Sequence, residues 1–381
     1  MEVRTFPEAL KAIMEQRGWT QTDLARELGV SQAWVSEVSR GHKDTGMAKA
    51  VNLLARVGWE IRISPKVEES VERREFLAAA ASVVFVPSAG ANPYQDADYV
   101  NALAASLARS RYELGGIPLM SRASSHMRHV DRILKEAVER PLQKAISELM
   151  YQVTLVLYDA GRLSQADRTG GIALDLALRA QDFTSQARAY DSLSRVGLYR
   201  GDHARGVTYA QRGLQVPGIT GSLRASLNMR LGRSLALVPE QRKASRDALD
   251  RALDVGGLSP FGQAALAGDV GIGLSHLREY REAGTLLDEA AGTIGQWSPL
   301  FRAQYLGRQV QTAIRASDPS FAADRMNELA RALPFVASAR VDKRVHEILR
   351  ASFPWNSTPE IRQAREHLLS MVSPESPQPA A

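Results

Sequence analysis

The 381-residue chain has no cysteine. That excludes disulfides, thiol catalysis and Cys-ligated zinc or iron–sulfur centres. Catalytic signatures are missing as well. Gly41 to Gly46 have the glycine spacing of a phosphate loop, but Met47 and Ala48 stand where Lys and Ser/Thr are required. Gly268, Gly271 and Gly273 are out of order for a dinucleotide fingerprint and follow no strand-like run. His126 and His129 fall three apart on one helix face without a carboxylate-rich partner, and read as a solvated pair. No GxSxG or HExxH motif occurs. No enzymatic activity, metal or cofactor is expected. Charge of one sign is also lacking: 48 Lys and Arg oppose 42 Asp and Glu, and residues 1–65 hold nine basic against eight acidic side chains. Net charge therefore singles out no partner. Long apolar runs are scarce. The longest, AAAASVVFVPSAGA after Leu77, spans about fifteen residues, short for a bilayer crossing. No membrane association is expected, and the opening MEVRTFPEAL shows no signal-peptide pattern.

The most informative stretch runs from Gln21 to Arg40, QTDLARELGVSQAWVSEVSR. Ala25 is small where a second helix must cross. Gly29 suits a left-handed turn, which costs little only without a Cβ. Val35 and Val38, three apart, share the face that pins the second helix to the first. Gln32, Ala33, Ser36, Glu37 and Arg40 then occupy the opposite face. Thr20, with Asp23 three residues on, predicts a capping box, and Ser31 predicts the next cap. Pro7, Ala9, Leu10, Ile13 and Met14 predict a preceding amphipathic helix ending near Gly18, with Gly41 ending the helix after Ser31. A further helix over about Met47 to Val57 would turn Ala50, Val51, Leu53 and Leu54 inward.

Over roughly residues 5–63 this pattern resembles the xenobiotic-response-element type of helix-turn-helix domain, the family of phage repressors and their bacterial relatives. The resemblance implies that the second helix of the motif reads double-stranded DNA in the major groove. It gives Gln21 a phosphate contact, with Gln32 and Ala33 facing bases and Ser36 and Glu37 following them. Gln can pair bidentately with adenine, and Glu can accept from cytosine N4. Arg40, His42, Lys43 and Lys49 would meet phosphates and fix the register. Trp34 departs from the small or polar residue usual at its place: either a wedge facing DNA or a partly buried packing residue.

Breakers divide the chain into a helix-turn-helix domain (1–64), a linker with an apolar strap (65–97), a helical repeat domain (98–372) and a disordered, Pro-rich tail (373–381). Arg73, Arg74, Phe76 and Leu77 imitate an export signal, but behind a complete first domain they read as part of the strap. An RRxFL-like link of this kind resembles that of multidomain bacterial regulators with helical-repeat C-terminal halves. Beyond residue 98, breakers recur about every forty residues: at Gly161, Gly201, Pro239, Arg278 and Ser317. Leu193-Ser194, Leu231-Gly232, Val270-Gly271 and Leu306-Gly307 each set a large apolar residue beside a small one. Gly206, Ala210 and Gly213, then Leu163, Ala166, Gly170 and Ala173, then Tyr280, Ala283, Leu287 and Ala290, take the positions that let helices approach. Regular spacing of this size predicts stacked helical hairpins, five or six of them. They resemble tetratricopeptide repeats, though longer and without the usual large aromatics. The expected fold class is all-α: a small, five-helix-type helix-turn-helix domain followed by a tetratricopeptide-like α-solenoid.

The first helix of each hairpin should line the concave side. Counted from the large–small pairs, that side would show Arg188, Asp191, Arg195, Tyr199, Arg233, Gln304, Arg308 and Gln311, with Asn228 nearby. Arg195, Arg233 and Arg308 fall at one repeat position. A groove of Arg and Gln suits a peptide and its terminal carboxylate. The whole resembles the peptide-pheromone-responsive regulators, which implies a cytoplasmic, nucleoid-associated homodimer on an inverted-repeat operator, answering to a short peptide. A scaffold or anti-activator whose repeats dock a protein is the alternative.

Overall fold

The computed structural model describes residues 6–40, 50, 53–54, 57, 59–64, 82–87, 93–135 and 137–371. The chain divides into two compact units, Met1–Leu103 and Ala104–Ala381. Among the described residues there are seventeen α-helices and one two-stranded ribbon, and none of the helices is long and apolar enough to cross a membrane.

In the first unit, α1 (Phe6–Arg17), α2 (Gln21–Leu28) and α3 (Gln32–Ser39) form around the expected signals. Gly18 ends α1 with φ of 63° and Gly29 ends α2 with φ of 68°, the left-handed region where a Cβ is unwelcome. Thr20 and Asp23 close a capping box, and Ser31 accepts from Trp34 N. Ala9, Leu10, Ile13, Leu24, Ala25, Leu28, Val35, Val38 and Leu54 build one core. Ala50, Leu53, Leu54 and Val57 are buried, as the anticipated further helix requires. The rest of that helix, including Val51, lies outside the described residues, as do Gly41, the Arg73-Arg74 segment and the tail from residue 373. Residues assigned to a domain end and a strap pair instead: β1 (Trp59–Ser64) runs antiparallel to β2 (Ser82–Pro87). The sequence reading missed this ribbon. An apolar run of four to eight residues cannot be assigned to strand or linker until its partner is known.

The second unit begins in α4 (Ala97–Leu114) and α5 (Met120–Ile133). Five hairpins follow: α6 (Arg140–Asp159) with α7 (Leu163–Ala180), α8 (Phe183–Tyr199) with α9 (His203–Leu214), and α10 (Gly221–Leu235) with α11 (Arg242–Leu253). The last two pair α12 (Pro260–His276) with α13 (Tyr280–Ile294) and α14 (Pro299–Arg315) with α15 (Pro319–Ala332). Then α16 (Ala339–Ala351) continues the row of first helices, and α17 (Pro359–Ser370) packs on α15. The row α8, α10, α12, α14, α16 forms one layer, each helix touching the next. The expected small residues sit at its seams: a Cβ on Gly232 would lie 2.6 Å from Leu249 Cγ, and one on Gly213 would lie 2.6 Å from Leu227 Cδ2. The hairpin turns repeat one backbone state. Gly161, Gly201, Glu240, Arg278 and Ser317 all have positive φ.

Contacts between distant parts of this unit close the repeat stack upon itself. Ala337 N donates to Leu114 O at 3.0 Å, and Ile117 N donates to Ala337 O at 3.2 Å. Gly115, with φ of 86°, lies where any Cβ would overlap the Ala337 carbonyl oxygen. Asp159, at the end of α6 and fully buried, accepts from Gly116 N at 2.5 Å, Ser338 Oγ at 2.8 Å and Arg340 Nη2 at 2.7 Å. Ser298 Oγ donates to Tyr112 O at 2.8 Å. Ser298 and Ser338 also cap α14 and α16, so two helix caps double as closing contacts.

Candidate functional site

On α3 the two faces separate as the spacing predicts. Val35 and Val38 are buried, while Gln32, Ala33, Glu37 and Arg40 are exposed and Ser36 is half-buried. Gln32 Nε2 donates to Gln21 Oε1 at 3.1 Å, tying the first residue of α3 to the first of α2. Arg40 folds back along the helix, with Nη2 donating to Ser36 Oγ at 2.8 Å. Trp34 is resolved between its two readings: it is 8% exposed and meets Phe6 edge-on at 6.4 Å between ring centres. Indole burial there fixes α1 against α3 rather than facing DNA. His42, Lys43 and Lys49 lie outside the described residues.

In the repeat unit the first helices converge on a chamber of about 30 Å³. Arg195 on α8, Arg233 on α10, Ile272 on α12 and Arg308 on α14 line it. All four follow directly on the small residue of a large–small pair, so the repeat register placed three of them from sequence. Gln304 and Tyr199 line it too, as expected. Asp191 stands behind the wall, 3% exposed, accepting from Arg230 Nε at 3.3 Å, Arg195 Nη2 at 3.3 Å and Ser226 Oγ at 2.6 Å. Three further expected members do not line it, and of these Gln311 instead accepts from Arg308 and Arg344. Arg188 is turned to a salt bridge with Glu148 at 2.7 Å, and Asn228 bonds Arg224 O and Arg251, on the side facing α11. Helix rotation carries both off the chamber face.

Arg111, Arg230, Arg340, Arg344, Asp269, Tyr158 and Phe301 also line the chamber, and the sequence reading missed them. Arg230 was within reach, three residues before Arg233 on the same helix face. Arg340 and Arg344, one helical turn apart, follow the last large–small pair that was recognised. Arg111 precedes the repeats altogether and is brought in by the closure.

The electrostatics of the wall are uneven. Burial acts against the Asp269 charge, yet Arg233 and Arg230 outweigh it and hold that carboxyl down at about 2. Asp269 binds Arg233 Nη1 at 2.7 Å and Arg230 Nη2 at 3.0 Å. Burial likewise opposes the charge of Arg195, but Asp191 more than compensates and raises it. For Arg308 and Arg344 burial outweighs the favourable neighbours. Burial pulls the Arg308 guanidinium well below its ordinary range, with Arg344 and Arg233 adding repulsion. Burial brings Arg344 down to about 10.

His126, expected to be solvated, is instead 4% exposed on α5. Burial, then the charge of Arg122, lowers it to about 4. Among the described residues no group of His, Asp and Glu is placed to hold a metal ion.

The fold and the α3 face define a helix-turn-helix protein with a helical-repeat second half. The family model described as Helix-turn-helix matches residues 10–56. The chain therefore carries an N-terminal helix-turn-helix domain of the xenobiotic-response-element type, followed by a tetratricopeptide-like solenoid. No curated protein matches the sequence at a significant level. Among solved structures, the chain overlaps a Rap protein complexed with competence and sporulation factor at 12% identity, covering 92% of this chain and 98% of that one, with a TM-score of 0.44. The apo form of RapI overlaps at 12% identity, 91% and 97% coverage and a TM-score of 0.37. YrrB, a TPR protein with an unusual peptide-binding site, overlaps at 15% identity, 59% and 98% coverage and a TM-score of 0.30.

Proposed function

We propose that this protein is a sequence-specific transcriptional regulator that binds operator DNA through α3 and whose helical-repeat half binds an effector that changes operator binding. The observation that carries the DNA half is the division of α3. Its apolar face is locked on the core, while Gln32, Ala33, Glu37 and Arg40 stand exposed together on a match to the helix-turn-helix family. Gln21, Ser36 and Lys43 complete the proposed contact set. The buried arginines support an anionic effector, and a short peptide would set its terminal carboxylate among Arg195, Arg233 and Arg308. In a cytoplasmic homodimer, two heads must reach successive major grooves ~34 Å apart. An effector preferring one curvature of the repeats would shift the population between matched and mismatched spacings.

Genome-wide DNA capture with the purified protein tests the first half. A short inverted repeat, enriched by the native protein and lost when Gln32 and Ser36 are both replaced by Ala, is the expected result. No enriched sequence, with or without effector, would overturn it and favour the scaffold reading. That second reading has its own support in Phe335 and Phe353, 69% and 66% exposed near the end of the repeats, where a protein partner could dock.

A further inference from the structure

Seven arginines line the chamber, and the three carboxylates bonded to them, Asp159, Asp191 and Asp269, leave an excess of four positive charges. The outer-surface network around Arg246 has no such surplus. On the outer surface, Arg246 alone meets Asp250, Glu279 and Glu282. In the chamber, Arg308 and Arg344 form no salt bridge among the described residues. Both donate to the same neutral oxygen, Gln311 Oε1, at 3.0 and 2.6 Å. Glu347 reaches them only through Gln311 Nε2, at 3.0 Å. The Nε atoms of Arg111, Arg195 and Arg233 and the Nε2 of Gln304 are buried with no hydrogen-bond partner among the described residues. Arg111 and Arg233 are themselves 2% and 8% exposed. Unpaired buried donors and crowded like charges are costly unless an anion completes them.

We infer that this chamber is a binding site for a phosphate or pyrophosphate group carried by a small-molecule effector. The inference rests on the effector-binding reading of the repeat half, and puts a phosphorylated small molecule in place of the peptide. A lone carboxylate brings one charge and two acceptor oxygens. A phosphoryl group brings more of both, in a tetrahedral array suited to several guanidinium forks at once. Size agrees. About 30 Å³ admits two or three water-sized groups at roughly 10–15 Å³ each, which favours part of a compact oxyanion over an extended chain. Several residues of peptide backbone do not enter a chamber of that size unless the repeats move.

The test is calorimetric titration and thermal unfolding of the full chain with pyrophosphate, orthophosphate, citrate and acetate. Pyrophosphate is expected to bind saturably at one site and raise the unfolding temperature, with orthophosphate weaker and acetate inert. Arg308→Gln and Arg344→Gln should each weaken pyrophosphate at least tenfold. Both should also raise the unfolding temperature of the ligand-free protein, because each removes a buried like charge; a merely structural arginine would lower it. Arg246→Gln should leave binding unchanged. No saturable binding of pyrophosphate at millimolar concentration would overturn the assignment, as would citrate or acetate binding as tightly, or native affinity in both chamber variants. Operator affinity measured with the site filled separates the two readings. If pyrophosphate binds and DNA affinity stays constant, the site stands and the proposed coupling to DNA fails.

Discussion

At the residue scale, Gln32 and Arg40 sit on the same exposed face, and the proposed function gives them different kinds of DNA contact. Gln32 projects at the start of α3, held by Gln21, and is the proposed base reader. Gln32→Ala should therefore cost roughly 1–3 kcal/mol of specific binding and relax preference at one base pair. Arg40, at the far end, should act on phosphate, so Arg40→Ala should weaken all sequences evenly and flatten the salt dependence. Competition binding across operator variants at several salt concentrations distinguishes them, and equal sequence-independent losses would place the wrong face in the groove. His126 makes a separate prediction. Its folded-state value near 4, against an ordinary 6.5, means that the folded chain resists protonation while the unfolded chain accepts it. The associated stability is present above pH 6.5 and is lost as pH falls towards 4, by up to about 3 kcal/mol. Urea unfolding midpoints should decline over that window and flatten in His126→Gln. An unchanged slope would assign the acid sensitivity elsewhere.

At the element scale, the glycines divide into those that space helices and those that do not. Gly171 lies inside α7 with nothing within 4 Å of an added Cβ. Gly171→Ala should stabilise by about 0.5–1 kcal/mol, the usual helical difference between these residues. Gly115 combines a positive φ with backbone directly in the path of a Cβ. Gly115→Ala should destabilise by roughly 2–4 kcal/mol, from strain and a displaced Ala337 backbone contact. Thermal unfolding of both variants checks the pair of signs. Sequence showed that small residues spaced the repeats, since Ser194, Gly232, Gly271 and Gly307 recur in register. It could not show that Gly115 was needed, because the atom it avoids belongs to a residue more than two hundred positions away. The ribbon of β1 and β2 escaped for the same reason: its two strands are apolar runs separated by a charged stretch, and only pairing defines them.

At the scale of the whole repeat unit, the closing contacts converge on Asp159. Its carboxylate is fully buried and bonded to Ser338, Arg340 and the Gly116 amide. Asp159→Ala strands Arg340 without its partner inside the protein, a change that typically costs about 3–5 kcal/mol. The expected outcome is a lower unfolding temperature together with new protease cleavage between residues 114 and 119. A full loss of stability without such cleavage would mean that the unit unfolds as one piece and that the closure is not a separable element. The chamber depends on the same closure, because Arg111 and Arg340 approach from the two ends that it joins.

The sequence by itself determined what local forces decide. Caps at Thr20 and Ser31, the three-residue spacing of Val35 and Val38, and the forty-residue recurrence of turns are all written in neighbouring residues, because helices and hairpins are short-range structures. The register even placed Arg195, Arg233 and Arg308 on one wall. Tertiary structure alone decided that this wall closes, that Arg188 and Asn228 turn away from it, and that Arg111, Arg340 and Arg344 enter it from outside the recognised repeats. Those outcomes depend on helix rotation and on contacts between residues more than two hundred positions apart, where packing chooses the partner.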